Sequence, residues 1–234
     1  MARKFIFDVD GTLTPSRDKI DPEFKKFFQR FVTKHDVYLV TGGSKEHTVE
    51  QVGPVIWTLV RRAYQCSGNL VYEGDKIIRQ NTIELTSEMQ EFFDHWLDAS
   101  QFEYRTGQHI DVRPGLINFS TIGRNCTREQ RDEYVAYDSK VGERELIAKL
   151  FNEEFGPNLV AQVAGQTGLD IIEFGNDKSQ IIVDFYPGDE MHFFGDKMDE
   201  GGNDYPLAVT VENVGGKTYH VKDWKETWNI LKEL

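Results

Sequence analysis

The amino-terminal segment constrains the fold more than any other part of this sequence. An apolar run, Phe5–Phe7, leads into Asp8 and Asp10, and Gly11-Thr12 follows. Because residues two apart on a β-strand point to the same side, both carboxylates are expected at the carboxyl end of one strand, where open α/β sheets usually bind ligands. Like charges this close are costly unless a cation or a proton lies between them. The segment therefore predicts a Mg²⁺ site with one carboxylate free to attack phosphorus.

Composition excludes several classes of function. The chain has 234 residues and a net charge of −12, which argues against general nucleic-acid binding because that requires a basic face. Its two cysteines, Cys66 and Cys126, are far apart in sequence, and we interpret them as free thiols in a reducing compartment. No apolar stretch at the start resembles a signal peptide or a membrane span. We predict a cytoplasmic protein without nucleic-acid or membrane partners.

The first third of the chain alternates predicted strands with predicted helices. Asp21-Pro22 is a typical helix start, and phenylalanines at helical spacing follow it. Alternation of this kind is typical of a parallel sheet. The predicted strands are 4–9, 37–40 and 63–66, with a hairpin at 70–78 and a helix from Ser44 to about Val52.

The middle of the chain has a different pattern, in which strands are followed by helices, as in an α+β unit. A capping box, Ser87 with Gln90, predicts one helix start, and Thr127 with Gln130 predicts another. The predicted strands are 102–106, 109–112, 116–122, 159–163 and 169–172, and the predicted helices are 127–138 and 143–155.

The end of the chain returns to the α/β pattern. Strands are predicted at 191–194, 207–211 and 218–221, and a last helix is predicted at 224–231. The chain is therefore predicted to fold as an α/β core, residues 1–79 and 175–234, with an α+β insert at 80–174.

The acidic candidates for phosphoryl-transfer chemistry lie in two motifs. Asp8 is predicted to be the nucleophile and a metal ligand, and Asp10 a metal ligand and the general acid/base that protonates the leaving alcohol. Asp196, in a Gly-Asp pair after a predicted strand, and Asp204, in Gly-Gly-Asn-Asp, are predicted to complete the metal site.

Two further candidates would hold and neutralise the phosphoryl group. Thr41-Gly42-Gly43-Ser44 follows a predicted strand and offers a hydroxyl with backbone amides. Either Thr41 or Ser44 could supply that hydroxyl, and Ser44 is the preferred candidate. A plain turn with a helix cap is an equally good interpretation of the segment. Lys178, at a predicted helix start, would offset the negative charge of nucleophile and phosphate.

These residues carry a resemblance. Asp8-Val9-Asp10-Gly11-Thr12 matches the DxDGT signature of the haloacid dehalogenase superfamily, whose members transfer phosphoryl groups through an aspartate nucleophile. The chain further resembles the eukaryotic-type phosphomannomutases, which carry a C2b (type IIB) cap. The similar stretches, in family order, are FDVDGTLTPSRDKI, VTGGSKE, RPGLINFSTIGRNCTREQRDEY, AGQTGLDIIEFGNDK and FFGDKMDEGGNDY.

The resemblance implies an architecture and an activity. It implies a Rossmann-like core with a parallel sheet, and an inserted cap that selects the substrate. The implied reaction interconverts mannose 6-phosphate and mannose 1-phosphate for GDP-mannose biosynthesis, through an aspartyl phosphate, with Mg²⁺ and a hexose 1,6-bisphosphate activator. It also implies a homodimer formed through the cap.

A group of arginines lies in the predicted insert. Residues 105–131 contain five arginines and no lysine; without the resemblance, an anion site and a solvated face would be equally good interpretations. The resemblance implies that the substrate's distal phosphate is bound by Arg113, Arg124 and Arg131, with Arg17 from the core nearby. It further implies that Asp170 bonds sugar hydroxyls and that Asn118 contributes, whereas Arg105 and Arg128 have no match and are predicted to be solvated.

Three departures from the family pattern concern the substrate more than the chemistry. Gly168 stands where the family usually has serine, Asn176 where it has tryptophan, and Ser67-Gly68 where it has Glu-Asn-Gly. Two alternative functions therefore stay open at this point. One is a phosphatase of the same fold that hydrolyses sugar phosphates, and the other is a non-catalytic sugar-phosphate-binding protein.

Overall fold

The computed structural model describes residues 3–234, which form two compact units. The core unit comprises the residues up to Gln80 together with Gly175–Leu234, and the inserted unit comprises Asn81–Phe174. No helix among residues 3–234 is long and apolar enough to cross a bilayer.

The strands and helices are numbered in chain order. The strands are β1 Arg3–Phe7, β2 Asp36–Val40, β3 Arg62–Gln65, β4 Leu70–Glu73, β5 Lys76–Gln80, β6 Ile110–Arg113, β7 Leu116–Phe119, β8 Leu159–Ala164, β9 Gly168–Glu173, β10 Glu190–Gly195 and β11 Lys217–His220. The helices are α1 Pro22–Val32, α2 Lys45–Val52, α3 Pro54–Leu59, α4 Ser87–Ala99, α5 Arg128–Val141, α6 Glu143–Phe155, α7 Tyr205–Asn213 and α8 Trp224–Leu231. Short 3₁₀ helices span Cys66–Gly68 and Lys178–Asp184.

The core unit is built on one sheet, with strand order β11-β10-β1-β2-β3-β4-β5. The strands from β11 to β3 are parallel, and β4 and β5 form an antiparallel hairpin at the edge. The predicted parallel sheet and hairpin are thus confirmed. Since Phe7 pairs with both Leu39 and Phe194, the residues that follow β1, β2 and β10 meet at one edge of the sheet.

Aromatic packing under this edge fixes the position of β1. The Asp21 side chain accepts hydrogen bonds from the amides of Glu23 and Phe24, and α1 begins at this cap as predicted. Phe28 of α1 is fully buried and packs edge-on against Phe7 with ring centroids 5.1 Å apart. Burial of one such side chain stabilises the fold by about 1.5–3 kcal/mol, so β1 is firmly anchored where it leads into Asp8.

The inserted unit is an antiparallel sheet of order β6-β7-β9-β8, with helices packed on one face. Phe93 of α4 stacks on Phe119 of β7 at 4.6 Å and on Phe151 of α6 at 5.8 Å. Side chains alternate along a strand, so the neighbours of Phe119 in sequence point to the other face. Asn118 and Asp170 are cross-strand partners there.

Three local predictions were wrong for identifiable reasons. Residues 207–211 lie in α7 rather than in a strand, because Pro206 opens a helix and a short apolar run does not distinguish a buried helix from a strand. Residues 102–106 form no strand; instead, the Arg105 guanidinium donates to the carbonyls of Leu97 and Phe102. Thr86, and not Ser87, caps α4, whereas the capping box of Thr127 is confirmed.

Candidate active site

Three carboxylates meet at the carboxyl edge of the core sheet. Asp8 follows β1, Asp196 follows β10 and Asp204 precedes α7, and one oxygen from each lies within 4.8 Å of the others. Gly11 makes this approach possible, because its φ is +85° and a Cβ there would collide with the Asp196 carboxylate. An all-oxygen donor set of this charge fits a hard divalent cation such as Mg²⁺.

Lys178 neutralises part of this charge. Its side chain is completely buried, and Nζ donates to Asp8 Oδ1 at 2.6 Å and to Asp204 Oδ1 at 2.7 Å. The Asp177 carboxylate accepts from the amide of Ser179 at 2.7 Å and so fixes the start of the 3₁₀ helix that carries Lys178. Burial alone would lower the pKa of Lys178, but the charges of Asp204 and Asp8 raise it, and the group is a permanent cation.

The electrostatics still favour an additional positive charge. Burial raises the pKa of Asp8 to about 8; Lys178 opposes this shift, while Asp204 and Asp196 add to it. Burial, followed by the charge of Asp204, also raises the pKa of Asp196. Three acids against one lysine leave an excess of negative charge in a desolvated place, so either a proton or a metal cation stabilises the cluster.

The Asp10 carboxylate does not belong to this cluster. Its Oδ1 accepts a hydrogen bond from the amide of Arg17 at 2.6 Å and another from Gln51 Nε2 at 2.9 Å. The prediction that the Asp10 carboxylate lies with that of Asp8 assumed a continuing strand, but β1 ends at Phe7 and Asp10 lies in the turn beyond it. The structure therefore does not bring the Asp10 side chain to the other predicted metal ligands.

Gln51 was missed at the sequence level. It lies on α2, is 2% exposed, and donates to Thr14 Oγ1 at 3.2 Å as well as to Asp10. The available signal was a polar residue on the buried face of an amphipathic helix, next to Val52. That signal is weak, because it does not indicate which residues the Gln51 side chain contacts.

The segment 41–44 lies at the same edge of the sheet. Thr41 is buried and its Oγ1 accepts from the amide of Gly43 at 3.1 Å, whereas Ser44 is exposed and caps α2 through the amide of His47. Cys66 and Ser67 brace the segment by donating their amides to the carbonyls of Gly43 and Thr41. Both bracing residues have positive φ, +50° and +58°, a strain that often accompanies functional sites.

Most of the predicted substrate-binding residues of the inserted unit form one polar network, centred on Asp111. Asp111 Oδ2 accepts from Arg113 Nε at 2.8 Å and from Arg124 Nη1 at 2.7 Å. Arg124 Nη1 also donates to Asn118 Oδ1 at 3.0 Å, and Asn118 Nδ2 donates to Asp170 Oδ1 at 2.7 Å. No role for Asp111 was predicted from the sequence.

Arg131 and Arg17 lie outside that network. Arg131 is on α5, and its Nε is buried without a hydrogen-bond partner among residues 3–234. Arg17 belongs to the core unit; its side chain is exposed and its φ is +58°.

Comparison with known proteins places this chain in a family. The family model described as eukaryotic phosphomannomutase matches residues 24–234. The chain belongs to this family. It is 34% identical to a phosphomannomutase of Drosophila melanogaster over 241 aligned positions, which cover 98% of the chain and 94% of that protein. It is 33% identical to a phosphomannomutase of Spinacia oleracea over 217 positions, 90% of the chain and 88% of that protein.

Solved structures agree with the fold. A haloacid dehalogenase-like hydrolase from Bacteroides thetaiotaomicron matches all of the chain and 99% of its own length, with a TM-score of 0.66 and 10% identity. The predicted α/β haloacid dehalogenase fold with an additional α+β unit is confirmed, as is the family resemblance. The chain is an enzyme of the phosphomannomutase type.

Proposed function

We propose that this enzyme interconverts mannose 6-phosphate and mannose 1-phosphate through a phosphorylated Asp8, with a hexose 1,6-bisphosphate as activator. Membership of the phosphomannomutase family supports the reaction. The observation that carries the choice of nucleophile is the contact between Asp8 and the buried Lys178, within a cluster of carboxylates. This arrangement offers an oxygen nucleophile next to charges that can stabilise a transferring phosphoryl group.

The proposed chemistry proceeds in two transfers. An Asp8 oxygen forms a bond to phosphorus of the bisphosphate, and the bond from phosphorus to the sugar oxygen breaks. The sugar oxygen keeps the electron pair of the broken bond and takes a proton from Asp10. In the second transfer, Asp10 accepts a proton from the hydroxyl of the incoming monophosphate, whose oxygen attacks the phosphorus on Asp8. The bond from Asp8 to phosphorus breaks and a bisphosphate of the substrate sugar is formed. When this bisphosphate next phosphorylates Asp8 with the phosphoryl group at its other end, the isomeric monophosphate is released.

Mg²⁺ would be held by Asp8, Asp196 and Asp204, and when bound it would supply positive charge for the phosphoryl oxygens. Lys178 keeps the Asp8 carboxylate oriented and adds a permanent cation. The segment 41–44 would bind the transferring group through backbone amides and the hydroxyl of Thr41 or Ser44. We do not assign the Asp10 carboxylate as a metal ligand.

Substrate recognition is proposed for the arginines and their partners. An arginine guanidinium binds phosphate through two parallel hydrogen bonds. We assign Arg113, Arg124 and Arg131 of the inserted unit to the phosphate that is not being transferred, and we also assign Arg17 of the core unit to substrate binding. Asn118 and Asp170 are assigned to sugar hydroxyls. Burial raises the pKa of Asp170, against the effect of the bond from Asn118, which suits a group that exchanges hydrogen bonds with hydroxyls.

The test is incubation of the purified protein with Mg²⁺, mannose 1-phosphate and a trace of glucose 1,6-bisphosphate, followed by phosphorus NMR. Mannose 6-phosphate that forms only with the activator supports the mutase. Release of inorganic phosphate instead would identify a sugar phosphatase.

A variant pair tests the nucleophile. Asp8→Asn is expected to abolish all phosphoryl transfer because an amide is a poor nucleophile, whereas Asp98→Asn, an exposed position on α4, should keep wild-type turnover. Residual turnover by Asp8→Asn would rule out the assignment. The cytoplasmic location and the cap-mediated homodimer remain proposals, and sedimentation analysis would test the latter.

A further inference from the structure

We propose that Gln51 is a positioning residue for Asp10, which it holds with one carboxyl oxygen fixed and the other directed to exchange a proton with the sugar oxygen. The inference rests on the proposed function, since it assumes that Asp10 is the general acid/base. It adds a residue that no sequence motif indicated.

The first observation is the burial and orientation of the Gln51 amide. The residue is 2% exposed, and Nε2 donates to Asp10 Oδ1 at 2.9 Å and to Thr14 Oγ1 at 3.2 Å. Its Oε1 is buried without a hydrogen-bond partner among residues 3–234. The reverse orientation would set an amide oxygen against the Asp10 carboxylate, so the carboxylate selects the orientation in which the donor faces it, at the cost of an unsatisfied acceptor.

The second observation is a strained donor on the same oxygen. The amide of Arg17 also donates to Asp10 Oδ1, at 2.6 Å, and Arg17 adopts a φ of +58°, a conformation that non-glycine residues rarely adopt. A side-chain donor and a backbone donor therefore converge on one oxygen of a carboxylate that lies in a turn rather than on a strand.

The two donors have a chemical consequence. Oδ1 is occupied, so Oδ2 is the oxygen that carries the proton. In the transfer from a hexose phosphate to Asp8, the bond from phosphorus to the sugar oxygen breaks, and that oxygen needs the proton that Oδ2 gives up. In transfer from acetyl phosphate the leaving acetate takes the electron pair and is stable without a proton. Loss of Gln51 should therefore affect only donors with a basic leaving group.

The experiment is single-turnover phosphorylation of Asp8 in the full chain with Mg²⁺, measured by acid quench. Three phosphoryl donors are compared: acetyl phosphate, 4-nitrophenyl phosphate and glucose 1,6-bisphosphate. Gln51→Met keeps the side-chain volume but removes the donor. Its rate should fall about 100-fold with the bisphosphate, because a misplaced catalytic group costs about that much, and should stay within about threefold with acetyl phosphate.

Thr14→Val is the matched control. It removes the other hydrogen bond of Gln51 and leaves the bond to Asp10, so its rates should keep the wild-type dependence on leaving group. If Gln51→Met does not fold, as judged by its melting temperature, Gln51→Leu also removes the donor without placing a second acid beside Asp10, and it should show the same selective loss.

The outcomes separate the two ideas. An equal loss with all three donors, or no loss with any, would overturn the role of Gln51 while leaving Asp8 as the nucleophile. A wild-type protein that no donor phosphorylates would overturn the proposed function, and the inference with it.

Discussion

Replacement of Lys178 by methionine tests how strongly the carboxylate cluster depends on its buried cation. The ammonium contacts two carboxylates at 2.6 and 2.7 Å, and the side chain is not exposed to solvent at all. Removing one partner of a buried ion pair typically costs about 3–5 kcal/mol, because an uncompensated charge is left behind. For a protein of this size, that corresponds to a decrease in melting temperature of roughly 6–20 °C.

The loss should depend on pH. In the folded protein, burial already raises the pKa of Asp8 to about 8, and removal of Lys178 raises it further. At pH 6 the Asp8 carboxyl is largely protonated with or without the lysine. At pH 9 it is charged and paired with Lys178 in the wild type, whereas in the variant it must either keep its proton or carry an unpaired buried charge. The difference in stability between wild type and variant should therefore be larger at pH 9 than at pH 6.

The assay is thermal unfolding without metal at both pH values, with Lys217→Met as the control. Lys217 is 61% exposed and lies 3.5 Å from Glu190, and such a surface pair contributes at most about 1 kcal/mol. If Lys178→Met melts within 2 °C of wild type at pH 9, the cluster is not desolvated as described and the reasoning fails.

Two further predictions concern the metal and the inserted unit. Binding of Mg²⁺ must displace the proton of Asp8, whose pKa is about 8. The dissociation constant for Mg²⁺ should therefore rise about tenfold from pH 7 to pH 6. Titration calorimetry with Mg²⁺ would measure this change, and equal affinities at the two pH values would contradict the prediction. Gly168→Ser should destabilise the protein by about 1–3 kcal/mol and raise the KM for phosphosugars. The reason is that a Cβ at this position would lie 2.8 Å from Asn118 Nδ2 and would disturb the hydrogen bond from Asn118 to Asp170. Unchanged thermal unfolding and unchanged kinetics would show that Asn118 moves aside without cost.

The parts of the site that lie directly at strand ends could be predicted from the sequence. Asp8 and Asp196 each end a short apolar run, and parallel strands bring such ends to one edge of a sheet. Asp204 and Lys178 needed the surrounding motifs, since a lysine at a helix start is usually solvated. The structure brings all four together.

The remainder depended on contacts between residues distant in sequence. The direction of the Asp10 side chain follows from where β1 ends, and strand boundaries are the least certain part of a sequence-based prediction. Gln51 and Asp111 are ordinary polar residues in their local sequence, and only their partners 41 positions away and 13 positions away give them a role. The wrong strand prediction at 207–211 has a related cause. The segment is a short apolar run, and a run of this kind is compatible with either a buried strand or a buried helix until its tertiary contacts are known.

Asp111 forms ion pairs with both Arg113 and Arg124, two of the arginines to which we assign phosphate binding. Arg113 and Arg124 already have a counter-ion, so under the proposed assignment an arriving phosphate would compete with a carboxylate for the same guanidinium groups. The net free energy of phosphate binding would then be reduced by the ion pairs with Asp111 that it weakens, and Asp111 would re-form them when the phosphate leaves. Under the proposed assignment, this competition would weaken phosphate binding and favour release, as suits an enzyme whose substrate and product both carry a phosphate.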